Sequence, residues 1–201
     1  MRAVKTFVFA AIALVFAHAA QAQQPAAAAP LPDRVLGKAD APVTIIEYAS
    51  LTCPHCATFH KETLPKVKQE WLDTGKAKLV YVDFPFDALA LGAAMIAHCA
   101  GPDRYFPMLD ALFRSQDQWS RAQNPLAALQ GVAKLGGMGP DKVEQCIQDN
   151  QLKSQIMLRQ KEGQEKYQVN STPSFIINGK KVSGAIPYDE FAKLLSEASP
   201  K

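Results

Sequence analysis

Charge, histidine and cysteine are all scarce in this 201-residue chain. Charged residues make up 20% of it, the formal charge is +3, and there are four cysteines and four histidines. With 48% hydrophobic residues beside so balanced a charge (22 basic, 19 acidic), neither a chain dominated by disorder nor a basic nucleic-acid face is compatible with the composition. No apolar run reaches the ~20 residues that a bilayer span needs; the N-terminal run Thr6–Ala17 has 12. No cysteine closely follows that run, which argues against a lipid-anchored lipoprotein. A second C-x-x-C, an H-x-x-x-H and an internal repeat are also absent. The length suits one domain, or one domain carrying an inserted subdomain.

What is there begins with an address. Arg2 and Lys5 precede the apolar run, and Ala20-Gln21-Ala22 after it offers an A-x-A cleavage site, so residues 1–22 read as a signal peptide; the alternative is an uncleaved anchor. Its removal takes the basic count from 22 to 20 against 19 acidic groups, which leaves a charge of about +1. The expected compartment is the periplasm, where thiols are oxidised. Residues 23–34, rich in alanine and proline, read as a flexible tether, and the folded part is expected over 35–198.

Val43–Ser50 (VTIIEYAS) has the continuous apolar, β-branched character of a strand buried on both faces. Pro54–Leu72 follows at helical spacing, with Pro65 expected to kink or divide it. Lys78–Phe84 (KLVYVDF) is a second strand, parallel to the first in a βαβ unit. From about 88 to 149 the pattern is helical, broken at Gly101-Pro102, Asn124-Pro125 and Gly136–Pro140. A helix over Gln151–Tyr167, a hairpin turning on Asn178-Gly179 and a closing helix Tyr188–Ala198 complete an α/β protein with an inserted helical subdomain.

Cys53-Pro54-His55-Cys56 carries the chemistry. Cys53 stands where a buried strand passes into a helix, and the free N–H groups and dipole of that helix start favour a thiolate. Pro54 suits a first helical position, His55 adds a donor and, when protonated, a charge, and Cys56 lies within one turn of Cys53. A stabilised thiolate makes the reduced pair stable and the disulfide correspondingly oxidising. Half of a zinc site, with Cys53, Cys56 and His60, is the competing reading, but the other ligands of a closed tetrahedral site are missing. The strand–C-x-x-C–helix context therefore favours redox chemistry. Such chemistry requires no organic cofactor and no metal.

EYASLTCPHC, the helical insert and the late TPSF together resemble the DsbA-type thiol-disulfide oxidoreductases of the thioredoxin superfamily, over most of residues 35–198. The resemblance implies a thioredoxin fold, an exposed nucleophile at Cys53 and a buried resolving partner at Cys56. It implies that the bond before Pro173 is cis and faces the active-site disulfide, with the backbone at Thr172-Pro173 free to pair with a bound peptide. Thr172 stands where valine is common in the best-known oxidases and where isomerase-like relatives also carry threonine. Glu47, a carboxylate within an apolar run, is costly to bury without a partner or a task. It occupies the place of a family acid that helps move the proton of the resolving cysteine, with an exposed strand edge as the alternative and Lys76 or Lys78 as possible partners. Cys99 and Cys146, 47 positions apart on apolar helical faces, read as a structural disulfide, or else as two buried thiols; closure of that loop would contribute about 4 kcal/mol in the chain-entropy model. No role attaches to His60 or His98.

The function expected is donation of the Cys53–Cys56 disulfide to reduced exported polypeptides. The resemblance implies re-oxidation by a quinone-linked membrane partner of DsbB type, and the protein is expected to be a monomer that binds no nucleic acid. An isomerase or reductase is the rival within the same chemistry, weakened because about 12 residues of tether leave no room for the N-terminal dimerisation domain such isomerases carry. A non-enzymatic peptide-binding protein is the rival outside it.

Overall fold

The computed structural model describes residues 30–200. The expected signal peptide (1–22), its cleavage site and the tether up to residue 29 lie outside the described residues. Among the described residues five strands form one sheet in the order β1-β3-β2-β4-β5: β1 is Arg34–Gly37, β2 Val43–Ala49, β3 Ala77–Asp83, β4 Ser174–Ile177 and β5 Lys180–Ser183. Only the β2–β3 pair is parallel, and the other three are antiparallel. The central strand β2 has Val43, Ile45 and Glu47 wholly buried on one face, while Thr44 and Ile46 on the other face are half-buried. Its apolar run therefore reflects one closed face and one partly covered face.

Strand β1 had no separate place in the expected order. Its sequence, Arg-Val-Leu-Gly, is too short to show a period, and pairing with β3 makes it a strand. The residues just before it, expected as the end of a loose tether, are held in place: Leu31 packs against the core and Asp33 lies 2.6 Å from the Arg159 guanidinium.

The segment after β2 divides as Pro65 requires. Helix α1 is Pro54–Thr58, a π-helical stretch spans Phe59–Thr63, α2 is Leu64–Val67, and a second π-helical stretch spans Lys68–Leu72. Proline has no N–H to close the ladder, and the π turn just before it, closed by the Leu64 N–H on the Phe59 carbonyl, lies at that break. Between β3 and the last strands run α3 (Ala88–Cys99), α4 (Tyr105–Arg114), α5 (Gln116–Ser120), α6 (Pro125–Leu135), α7 (Pro140–Ile147) and α8 (Asn150–Tyr167). Side chains close the open N–H groups where helices start: Asp87 accepts from Ala90, Asn124 from Ala127, and Asp149 from Gln151 and Leu152. A Cys99–Cys146 disulfide joins α3 to α7. The chain ends in α9, Tyr188–Ala198, after a two-residue turn in which Asn178 and Gly179 both have positive φ.

Two apolar clusters meet beneath the sheet. One joins Val43, Ile45, Phe59, Leu79, Phe175 and Phe191, and so packs the π-helical stretch and α9 on β2–β4. The other joins Ala49, Leu51 and Cys56 to α3, α4, α6 and α7. The inserted helices thus pack directly on the end of the sheet that carries the cysteines. On the opposite face Tyr48 lies against α8, where a Cβ at Gly163 would overlap its ring. Gly163→Ala adds helix propensity worth ~1 kcal/mol, but overpacking costs ~1–3 kcal/mol. The variant is expected to unfold at lower temperature than the parent, and a higher midpoint in a thermal melt would show that α8 yields freely.

Candidate active site

Cys53 follows the C-terminal end of β2 and caps α1. Its backbone is extended (φ −80°, ψ 118°), its carbonyl accepts from the Ala57 N–H at 3.2 Å, and Pro54 occupies the first turn. The Cys53 side chain is half-buried, whereas Cys56, on the inner face of α1, is fully buried; both thiols are reduced. The same turn therefore presents one sulfur and hides the other.

That difference in surroundings separates their acidities. Cys53 is lowered from the usual thiol range to about 5, chiefly because the Cys56 thiol donates to its sulfur; burial opposes this, and the Thr172 side chain and the N–H groups of Cys56 and His55 assist. Cys56 is pushed well above the usual range, first by burial and then by the same hydrogen bond, which it must keep donating. The Thr172 carbonyl accepts from the Cys53 thiol at 3.4 Å, while the Thr172 side chain, its buried hydroxyl without a hydrogen-bond partner, favours the thiolate. His55 acts on Cys53 through its backbone N–H, and its ring is exposed. The Thr172–Pro173 bond is cis.

Glu47 is fully buried, and neither Lys76 nor Lys78 is its partner. Lys78 donates to the Ala39 carbonyl and Lys76 lies over the Trp71 ring. Oε1 of Glu47 instead lies 2.9 Å from Nε2 of His60, a residue given no role by the sequence, while Oε2 has no hydrogen-bond partner. Gln116 was likewise unmarked. From α5, buried to 3% exposure, it donates to the carbonyls of Leu51 and Cys53 at 2.7 and 2.9 Å, and so ties the insert to the loop that carries the nucleophile. His98 also has a place: its Nε2 is 2.8 Å from Asp83, which accepts from Tyr105, and Arg34 donates to Nδ1. Arginine has only donors, so Nδ1 accepts and the proton sits on Nε2, facing Asp83. No sequence pattern joins positions 34, 83, 98 and 105; the pairing of β1 with β3 and the packing of α3 and α4 beside them bring them together.

Among the described residues no group of three or more His, Cys, Asp or Glu side chains gathers as a metal site, and no helix is long and apolar enough to cross a membrane. The arrangement suits transfer of a disulfide, with an accessible low-pKa sulfur backed by a buried high-pKa sulfur and a buried carboxylate.

Comparison with known proteins agrees with that class. A family model described as Thioredoxin matches residues 29–197. A crystal structure of Wolbachia pipientis alpha-DsbA1 superposes with a TM-score of 0.78 at 34% identity, over 84% of this chain and 92% of that one. A Rickettsia bellii chain with the provisional name of protein-disulfide oxidoreductase is 32% identical over 148 residues, 73% of this chain and 57% of its own length. The chain thus spans little more than half the length of the curated relatives it matches first. A structure named as a protein-disulfide isomerase from Novosphingobium aromaticivorans, at 23% identity and a TM-score of 0.72 over 84% of this chain and 98% of that one, shares the fold. The chain belongs to the thioredoxin family, among its DsbA-like thiol-disulfide oxidoreductases.

The thiolate of Cys53 absorbs near 240 nm. Titration of the reduced protein is expected to give a midpoint near pH 5, with alkylation at Cys53 rising through that pH and level above it, and Cys56 unmodified throughout. A midpoint near 9 would remove the proposed activation.

Proposed function

We propose that the protein is an exported oxidase that gives its Cys53–Cys56 disulfide to reduced cysteines of other exported polypeptides. The observation that carries this reading is the opposed pair of acidities: Cys53 lowered to about 5 beside Cys56 raised well above the usual range. A pair whose reduced form holds a stabilised thiolate gives up its disulfide readily. Export is supported by the N-terminal charged and apolar pattern and by the Cys99–Cys146 disulfide, a type of bond that persists in oxidising compartments.

In the proposed cycle a substrate thiolate attacks Sγ of Cys53. The bond to Cys56 breaks, the electron pair leaves on Cys56, and that sulfur takes up a proton. A second substrate thiolate then attacks the substrate sulfur of the mixed disulfide, and Cys53 departs as a thiolate, a good leaving group because its pKa is low. The substrate gains a disulfide and the protein holds two thiols. A membrane partner of DsbB type, linked to quinone, would take the two electrons back. Glu47 is the proposed proton carrier for Cys56, and the backbone at Thr172-Pro173 the proposed contact for the peptide.

Isomerase or reductase activity is the second reading, favoured by one residue: the Thr172 carbonyl accepts from the Cys53 thiol and the Thr172 side chain lowers the Cys53 pKa, so the residue before Pro173 acts on its acidity. Equilibration of the Cys53–Cys56 pair with glutathione separates the readings. An oxidase is expected to lie in the range of DsbA proteins, about −120 mV, with a reductase closer to thioredoxin at about −270 mV. A value in the thioredoxin range would reject the oxidase.

A further inference from the structure

The thiolate that leaves on Cys56 is fully buried, and so is Glu47, so neither can exchange a proton with water directly. Cys56 nevertheless needs one proton each time its disulfide opens and must lose one each time it closes. We infer that His60 is the relay through which the proton passed between Cys56 and Glu47 reaches solvent, by way of a cavity behind the active-site helix. This inference rests on the oxidoreductase reading of the same site.

His60 lies four residues beyond the buried Cys56, one turn on along the same inner face, and it stays buried within the π-helical stretch Phe59–Thr63. Its ring stacks on Phe113 with centroids 4.0 Å apart and meets Tyr81 edge-on at 5.8 Å, so the imidazole is held in one orientation. Nε2 faces Oε1 of Glu47 at 2.9 Å, and Glu47 is close enough to Cys56 for its charge to raise that thiol's pKa. Among the described residues Nδ1 has no protein partner, and the ring lines a cavity of about 450 Å³ walled by Leu36, Leu64, Pro65, Phe106 and Leu109. The charged groups around His60 are Glu47 from β2 and, at the cavity, Lys68 from the second π-helical stretch and Asp110 and Arg114 from α4; Tyr81 from β3 supplies a further ionisable hydroxyl.

An imidazole can take a proton at one nitrogen while releasing another from the second. When a substrate thiolate opens the Cys53–Cys56 bond, the new S–S bond forms on Cys53 and the electron pair rests on Cys56. Glu47 delivers a proton to that sulfur, His60 returns one to Glu47 from Nε2, and water in the cavity replaces it at Nδ1. Closure runs the same path outward: Cys56 loses its proton to Glu47, and the thiolate attacks Cys53 in the mixed disulfide. His60 acts through Glu47, so it is a positioning residue of the reaction.

The test uses the full chain and its variants His60→Ala and His60→Gln, loaded at Cys53 with a small-molecule mixed disulfide, and reads the rate at which Cys56 releases it. General acid–base groups contribute ~10²–10⁴-fold, and His60→Ala is expected to slow release by about 10-fold or more with the 240 nm titration of Cys53 unchanged. Free imidazole, small enough for the vacated cavity, is expected to restore the rate. The glutamine variant keeps a donor for Glu47 but cannot pass a proton, so it is expected to be slow as well, and it serves alone if the alanine variant does not fold. Native speed in the glutamine variant, or slowing that imidazole leaves unrelieved, overturns the relay. A parent protein that exchanges no disulfide with thiols overturns the oxidoreductase reading instead.

Discussion

The hydrogen bond from the Cys56 thiol to the Cys53 sulfur is the interaction on which the rest of the site depends. It is the largest of the causes that bring Cys53 down to about 5, and it also helps to hold Cys56 up. One bond therefore sets both the nucleophile and the stored proton. It forms because strand β2 delivers Cys53 to a helix start and the first turn of α1 folds Cys56 underneath. The fold's task is to keep that turn rigid and its inner side dry.

Two parts of the molecule meet at that turn. Beneath it, the aromatic packing of Phe59, Phe175 and Phe191 fixes the π-helical stretch on the sheet. Beside it, the inserted helices cover Cys56 and send Gln116 back to the carbonyls of Leu51 and Cys53. Those two carbonyls are met by a buried amide, a placement that costs free energy if either side is left unpaired. The Cys99–Cys146 bond closes the insert at its far side. The helical block is thus a wall of the site as well as a cap on the core.

What the sequence made legible was whatever has a local signature. Consecutive β-branched residues over 43–46, proline and glycine at the helix breaks, Asn178-Gly179 and C-x-x-C each declare themselves within a few residues. Glu47 stood out because a carboxylate does not belong in an apolar run. Its partner did not: the i, i+4 spacing from Cys56 admits an inward His60, but only the packing of that face on β2 shows that it meets Glu47. Strand β1 was too short to have a pattern, and the Arg34–Asp83–His98–Tyr105 network spans four elements. Gln116 is an ordinary polar residue until the insert is docked. The lysines proposed for Glu47 lie near the start of the adjacent strand in sequence, but Lys78 turns to the Ala39 carbonyl and Lys76 to Trp71.

An ordinary disulfide makes a folded protein more stable; here the thiolate of Cys53 is expected to reverse that order. Because its pKa in the folded state, about 5, lies below the ordinary thiol value of 9.0, its stabilisation of the reduced protein is complete above about pH 9 and shrinks as pH falls, until it vanishes below about pH 5. Denaturant unfolding of the reduced and oxidised forms, compared between pH 4 and pH 8, measures this directly. At pH 8 the reduced form is expected to be the more stable of the two, with an advantage that declines toward pH 4. An oxidised form that is the more stable at pH 8, or a difference indifferent to pH, would contradict it.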